Sequence, residues 1–251
     1  MNRLMMAASA VALSTTAWVS TPAQAQSTLG STVAPTAAVV TIVRIPTPWY
    51  APRFLVVRKM RESMPLYRSI DGLVHKAYSL ARPDVRFGGI YLWKDLASAR
   101  AWFSPAWFER VAKERGASAE VSFHEVMAVV DNGASSASAG TDLAAVATLV
   151  EVPMAPGSDR ARPIDGFLAA ADTWRALPGL LQTYVVKTPQ GGLGAISLWR
   201  DEASARNALQ PSWNDRVVRE YGEAARIDWF DTPILMPGKE ASSATTAETT
   251  R

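Results

Sequence analysis

The sequence predicts an α+β protein made of two copies of one βαββαβ unit, and three observations carry that reading. The segment "LWKDLASARAWFSPAW", residues 92–107, recurs as "LWRDEASARNALQPSW", residues 198–213, with nine of sixteen positions identical. Unrelated segments share roughly one position, so this is the mark of an internal duplication. The flanking segments align too: "VVTIVRIP" from Val39 with "VATLVEVP" from Val146, "GGIYLWKD" from Gly88 with "GAISLWRD" from Gly194, and "EVSFHEV" from Glu120 with "RIDWFDT" from Arg226. Finally, the offset is 107 in the first half of each copy and 106 after the turn near Pro83, a single-residue loss at a loop.

The elements follow in order. "VVTIVRI" is β-branched and bounded by Pro46, as a strand should be. From Pro52 to about Leu66 the apolar residues Phe54, Val57, Met60 and Met64 recur at helical spacing, and Phe167, Ala170, Ala171 and Trp174 repeat the pattern in the second copy. Strands two and three flank a turn with Pro83-Asp84, or Pro189-Gln190-Gly191-Gly192. Asp95 and Asp201 stand where a helix N-cap belongs. Ser104-Pro105 then reads as a fresh helix start, because Pro is tolerated at a first helical position and not inside a helix. The second helix of each copy is therefore expected to split near Ser104 and near Gln210, and to end at Gly116 and Gly222. A fourth strand closes each unit. This is the ferredoxin-like split βαβ arrangement, whose sheet carries helices on one face only. A second copy covers the bare face, so the two sheets should face each other in an α+β barrel within one chain.

Outside the repeats the chain changes character. "MNRLMMAASAVAL" offers one Arg and then an Ala-rich apolar run, followed by Ala23 and Ala25 in an A-x-A pattern. This predicts a secretory signal peptide, 1–25, and a periplasmic or secreted protein. A flexible leader, 26–37, precedes repeat 1 at 38–130. The segment "DNGASSASAGTD" makes 131–143 a linker to repeat 2 at 144–237, and the polar tail 238–251 reads as disordered. There is no Cys, so an exported chain must rely on its core alone. Net charge is +3 with basic and acidic residues interspersed, which leaves no nucleic-acid footprint. No other stretch is long and apolar enough to span a bilayer, so no membrane contact is expected after cleavage.

"GGIYLWKDLASARAWF", the preceding "DGLVHKAYSL" and "FSPAWFERV" resemble the YdhR-type monooxygenases and the wider dimeric α+β barrel group, which includes the antibiotic-biosynthesis monooxygenases. The resemblance covers both copies and implies that two subunits of the usual dimer are fused here, as a pseudo-dimer that can still associate further. Activities in the group include cofactor-free oxygenation of electron-rich aromatics, haem breakdown, isomerisation and ligand binding. The helix position that supplies an axial His in haem-degrading members falls near Ala112, or Val218, in this chain, and neither can ligate iron.

Alternation along the strands sorts the candidate residues. Ile90 and Leu92, matched by Ile196 and Leu198, are assigned to the helix side, which puts Tyr91, Trp93, Ser197 and Trp199 in the barrel interior. Val74 and Leu181 read as helix-facing, so Leu73, His75 and Ala77, with Leu180, Gln182 and Tyr184, read as interior. Ser122, His124, Asp228 and Phe230 also point inward. The two histidines have no histidine counterparts in the second copy, and imidazole suits general-base work near neutral pH. The expectation is a cofactor-independent monooxygenase-like enzyme for a small aromatic or enolic compound. His75, Tyr91 and His124 would be catalytic, and Trp93, Gln182, Tyr184, Ser197, Trp199 and Asp228 would line the substrate site. The alternative is an exported protein of the same fold that binds a small apolar ligand without turning it over. Arg44 and Glu151, equivalent in strand one, could pair across the pseudo-twofold axis. With two His and no Cys, a multi-histidine zinc site is not expected. "GGLG" from Gly191 falls in a hairpin and is a poor phosphate loop, and there is no G-x-S-x-G elbow.

Overall fold

The computed structural model describes residues 38–239 apart from 49, 84–85, 133–143, 153–164 and 166–170. The expected signal peptide, the leader and most of the linker and tail lie outside the described residues, as do Phe167 and Ala170. Repeat 1 runs β1 (Val39–Pro46), α1 (Arg53–Arg68), β2 (Leu73–Arg82), β3 (Arg86–Trp93), α2 (Leu96–Trp102), α3 (Pro105–Arg115) and β4 (Glu120–Asp131). Repeat 2 runs β5 (Val146–Val152), α4 (Ala171–Arg175), β6 (Leu180–Lys187), β7 (Leu193–Trp199), α5 (Glu202–Ala208), α6 (Pro211–Tyr221) and β8 (Arg226–Pro237). β4 thus continues through Asp131, one residue into the expected linker.

The eight strands close into one barrel in the order β1-β3-β2-β8-β5-β7-β6-β4, antiparallel throughout. Each repeat contributes the four-strand order of a ferredoxin-like unit. The β2–β8 and β4–β6 ladders hydrogen-bond one repeat to the other. Closure removes the two exposed edges that each sheet would otherwise present.

The punctuation in the sequence is realised locally. The Asp95 and Asp201 carboxylates accept from the backbone N–H of Ser98 (2.6 Å) and Ser204 (2.7 Å). The second helix of each repeat is broken in two, and α3 and α6 both start on Pro and end on a left-handed Gly, Gly116 at φ 66° and Gly222 at φ 84°. Gly72 and Gly179 are equally constrained: both have positive φ, and a Cβ there would lie 2.3 Å from the hydroxyl of Ser98 or Ser204. Each repeat therefore docks its second helix on a glycine turn.

The face assignment is where the structure corrects the sequence. Ile90, Leu92, Ile196 and Leu198 belong to the interior cluster, together with Val40, Ile42, Ala77, Leu149, Tyr184, Phe230 and Leu235 from both repeats. Tyr91 and Trp93 pack instead with Phe103, Trp107 and Val111 under the helices of repeat 1, and Trp199 packs with Leu180, Ala205 and Trp174 under those of repeat 2. Both faces of each sheet are covered, so apolar alternation fixes the period and not its sign. A second correction has a geometric cause. The registers shift between Leu73 and His75 and between Leu180 and Gln182. Such a bulge sets two residues against one and breaks strict alternation. Leu73 and Leu180 consequently face the helices, and Val74 and Leu181 pack against the interior. In α1, Met60 is buried and Val57 and Met64 pack beside it, whereas Phe54 is 69% exposed and lies off the packed face.

Candidate functional site

His75 on β2 and Gln182 and Tyr184 on β6 meet inside the barrel. They come from different repeats, and their exposures of 5%, 2% and 0% seal them from bulk water. The Tyr184 hydroxyl lies 2.8 Å from His75 Nε2 and donates to Gln182 Oε1 in a short bond. A phenol has one proton. With that proton on Gln182, the Tyr184 oxygen accepts from His75 Nε2–H, which leaves Nδ1 as the basic nitrogen of the ring. Burial pushes the His75 pKa down to about 4, against a smaller opposing pull from Asp131. Burial also holds the Tyr184 hydroxyl well above its ordinary value, and Asp131 adds to that. At neutral pH the trio is therefore a neutral imidazole, oriented by a protonated phenol and an amide.

The second histidine lies on the same cross-strand row. His75 stands opposite Leu92, Leu92 opposite Val40, and Val40 opposite His124. Three strand spacings make the row roughly 14 Å along the wall. Ser122 Oγ lies 2.9 Å from His124 Nε2, and Nδ1 has no hydrogen-bond partner among the described residues. Burial pushes His124 down to about 4, and the nearby Arg44 guanidinium adds to the effect. Arg44 bonds the Asp228 carboxylate at 2.8 Å and lies 5.1 Å above the Phe230 ring. The expected Arg44–Glu151 pair does not form; Glu151 instead pairs with Arg226.

Tyr91, Trp93, Ser197 and Trp199 do not join His75, because they occupy the opposite face of the sheet. Trp93 Nε1–H donates to Thr41 Oγ1 (2.9 Å) and Trp199 Nε1–H to Thr148 Oγ1 (3.0 Å), the same buried bond built twice. The Ser197 hydroxyl meets Thr183 Oγ1 at 2.9 Å.

Tyr91 has a partner that the sequence reading missed. Lys76 is 2% exposed, and its Nζ lies 3.1 Å from the Tyr67 ring centroid, 3.8 Å from that of Tyr78 and 4.6 Å from that of Tyr91. The Tyr78 hydroxyl is anchored on Ser63 Oγ (2.8 Å), which donates onward to Met60 O. Gly89 makes the room: a Cβ there would fall 2.9 Å from Lys76 Cε and 3.0 Å from Tyr91 Cε2. A ring face stabilises a desolvated cation by about 2 kcal/mol. Removing an ammonium from water costs several kcal/mol, and no carboxylate among the described residues offsets it. Burial dominates and holds the Lys76 amine well below the ordinary lysine value. The clue in the sequence was a Lys in mid-strand between two apolar-facing positions, followed by Tyr78.

Among the described residues no group of three His, Cys, Asp or Glu side chains could hold a metal ion, and no helix is long and apolar enough to cross a membrane.

No protein-family model matches this sequence, and no curated protein matches it. Solved structures do match in fold. Two are each described as a "putative monooxygenase". The protein from Fusobacterium nucleatum has a TM-score of 0.57 at 9% identity, over 80% of this chain and 94% of that one. The protein from Lactobacillus acidophilus has 0.53 at 9% identity, over 80% and 97%. An anthrone oxidase-like protein has 0.57 at 11% identity, over 83% and 96%. The fold of this chain is that of the dimeric α+β barrel group of antibiotic-biosynthesis monooxygenases, closed within a single polypeptide.

Proposed function

We propose that the protein is an exported, cofactor-independent oxygenase of small aromatic or enolic compounds, with His75 as its general base. The observation that carries this reading is the 2.8 Å contact between His75 Nε2 and the Tyr184 hydroxyl inside the barrel; with the phenol proton on Gln182, it makes Nδ1 the basic nitrogen of the ring. Likeness in fold to an anthrone oxidase-like protein supports the substrate class. An anthrone carries a CH₂ group whose proton is acidic because the anion is an aromatic phenolate.

In the proposed reaction Nδ1 of His75 takes that proton. The electron-rich anion reduces dioxygen, the two combine at the same carbon, and the peroxide loses water. Overall R₂CH₂ and O₂ give R₂C=O and H₂O, with no outside reductant. Tyr184 and Gln182 hold the imidazole in the required tautomer, and the buried aliphatic residues Leu92, Val40 and Ile90 would supply the apolar wall against which the ring system packs. With a pKa near 4 the imidazole is unprotonated at neutral pH and a weak proton acceptor, which restricts it to a strongly acidified carbon acid.

The test is oxygen uptake with a hydroxylated anthrone and the metal-free, chelator-treated protein. Wild type should consume one O₂ per substrate, and His75→Asn should not. Tight binding of the anthrone without O₂ uptake would replace this reading with that of a non-catalytic ligand carrier. Export is tested by the N-terminal residue of protein recovered from periplasm or medium, expected to be Gln26.

A further inference from the structure

We propose that Lys76 is a covalent capture site for small carbonyl compounds, an amine that condenses with an aldehyde or ketone to form an imine beneath the Tyr67 ring. This site is separate from the barrel interior: residues 75 and 76 point to opposite faces of β2. It therefore stands whether or not the oxygenase reading does.

Four features of the structure converge on it. The amine is buried, and among the described residues no acid pairs with it. Its environment is three ring faces, Tyr67, Tyr78 and Tyr91, which suit an apolar or aromatic carbonyl compound. Gly89 keeps the sheet surface clear of a Cβ beside the Lys76 stem. The lid is a single side chain: Tyr67 is half-buried near the end of α1 and has its ring directly on Nζ. α1 is lightly held, with Met60 its one fully buried residue, while Leu55 and Leu66 are exposed. A planar ligand enters by displacing the Tyr67 ring from its contacts with Tyr78, Tyr91 and Trp102. The equivalent place in repeat 2 has no such group. Thr183 stands for Lys76, Val185 for Tyr78 and Ser197 for Tyr91, and Thr183 and Ser197 bond each other. A cage of this composition is not needed to build the fold, since repeat 2 builds it without one.

The chemistry is balanced without a further reagent. The Nζ lone pair attacks the carbonyl carbon and forms the C–N bond, and the oxygen takes one amine proton to give a carbinolamine. The C–O bond then breaks, the oxygen leaves as water with the second amine proton, and the nitrogen is left as a neutral imine. Burial favours the unprotonated amine that this step needs, and it holds the neighbouring Tyr91 phenol in its protonated form.

The experiment uses the full chain at pH 7 with benzaldehyde and sodium cyanoborohydride, which fixes an imine as a stable secondary amine. Peptide mapping compares Lys76 with the five other lysines: Lys59, Lys94, Lys113, Lys187 and Lys239. The expected result is labelling of Lys76 at least tenfold faster than any of them. Lys76→Met should remove the fast phase and leave the slow labelling intact. Tyr67→Ala should accelerate it by uncovering the amine. Circular dichroism on both variants checks that they fold. Labelling confined to the exposed lysines overturns the proposal. So does labelling of Lys76 that appears only when denaturant unfolds the chain.

Discussion

In repeat 1 the interior row across β2, β3, β1 and β4 reads His75, Leu92, Val40, His124; in repeat 2 the equivalent row across β6, β7, β5 and β8 reads Gln182, Leu198, Ala147, Phe230. The middle of the row is aliphatic in both, and its two ends have changed from ionisable to neutral. The helix side repeats the lesson, with Lys76, Tyr78 and Tyr91 set against Thr183, Val185 and Ser197. What the copies keep is structural: the Trp–Thr bonds, the Asp caps and the Gly turns. Duplication supplied the second half of a barrel. Divergence then left the two histidines in one half and gave the other the residues that orient His75, since Gln182 and Tyr184 reach across to it.

That division of labour is most directly broken at its centre. His75→Asn should lower oxygenation by about 10² to 10⁴-fold, the range for loss of a general base. Tyr184→Phe should cost less, because the base remains and only its tautomer is released. Equal losses in the two would mean that Tyr184 itself handles the proton. The shared scaffold makes the opposite prediction. Trp93→Ala and Trp199→Ala should both destabilise by about 3–5 kcal/mol, as large core truncations do. Trp93 should sit at the upper end, because it stacks on Tyr91 and meets Phe103 edge-on. Urea denaturation measures both, and a near-neutral Trp199 variant would show that the second repeat is not the equal scaffold described here.

How much of this was legible beforehand depends on what each residue's neighbours reveal. Caps and helix breaks were readable because Asp95, Ser104-Pro105 and Gly116 act locally, on backbone within a few residues of themselves. Facing was not, because Ile90 and Tyr91 are both buried and a one-residue shift exchanges them without changing the pattern. The bulges at Val74 and Leu181 have no sequence mark either, since any aliphatic residue serves there. His75, Gln182 and Tyr184 stood out as polar groups in apolar strands, and the structure brings them together. Tyr91, expected beside His75, has Lys76 as its neighbour, and its counterpart Ser197 correspondingly meets Thr183. Lys76 escaped notice because a single Lys in a strand reads as solvent-facing.

The histidine asymmetry also sets a pH dependence. In the fold both imidazoles stay neutral down to about pH 4, whereas an unfolded chain takes those protons near the ordinary value of 6.5. Between those values the unfolded chain binds more protons, so stability is full above about 6.5 and declines as pH falls towards 4. Each histidine contributes at most about 3 kcal/mol to that decline. Asp131 faces His75 and moderates its share, while Arg44 beside His124 reinforces the other. Converting repeat 1 to the residues of repeat 2, as His75→Gln with His124→Phe, should flatten the curve between pH 6.5 and 4. Thermal melts across that range measure it. An NMR titration placing either imidazole near 6.5 would remove the basis for the prediction.

The smallest effect belongs to the ion pair between the repeats. Arg44 and Asp228 have side chains 19% and 39% exposed, so solvent screens their 2.8 Å contact. Asp228 corresponds to Ser122, the residue that bonds His124, whereas its own neighbour two residues on is Phe230, which has nothing to bond. Asp228→Ser therefore imports the residue of repeat 1 without its partner. It should cost no more than about 1 kcal/mol, the upper range for an exposed pair. The loss should shrink further in 1 M salt, where the screening length is about 3 Å. A loss several times larger, or one indifferent to salt, would mean that Arg44 depends on Asp228 to hold its place over Phe230, and that the pair is a structural joint between the repeats, not a rim contact.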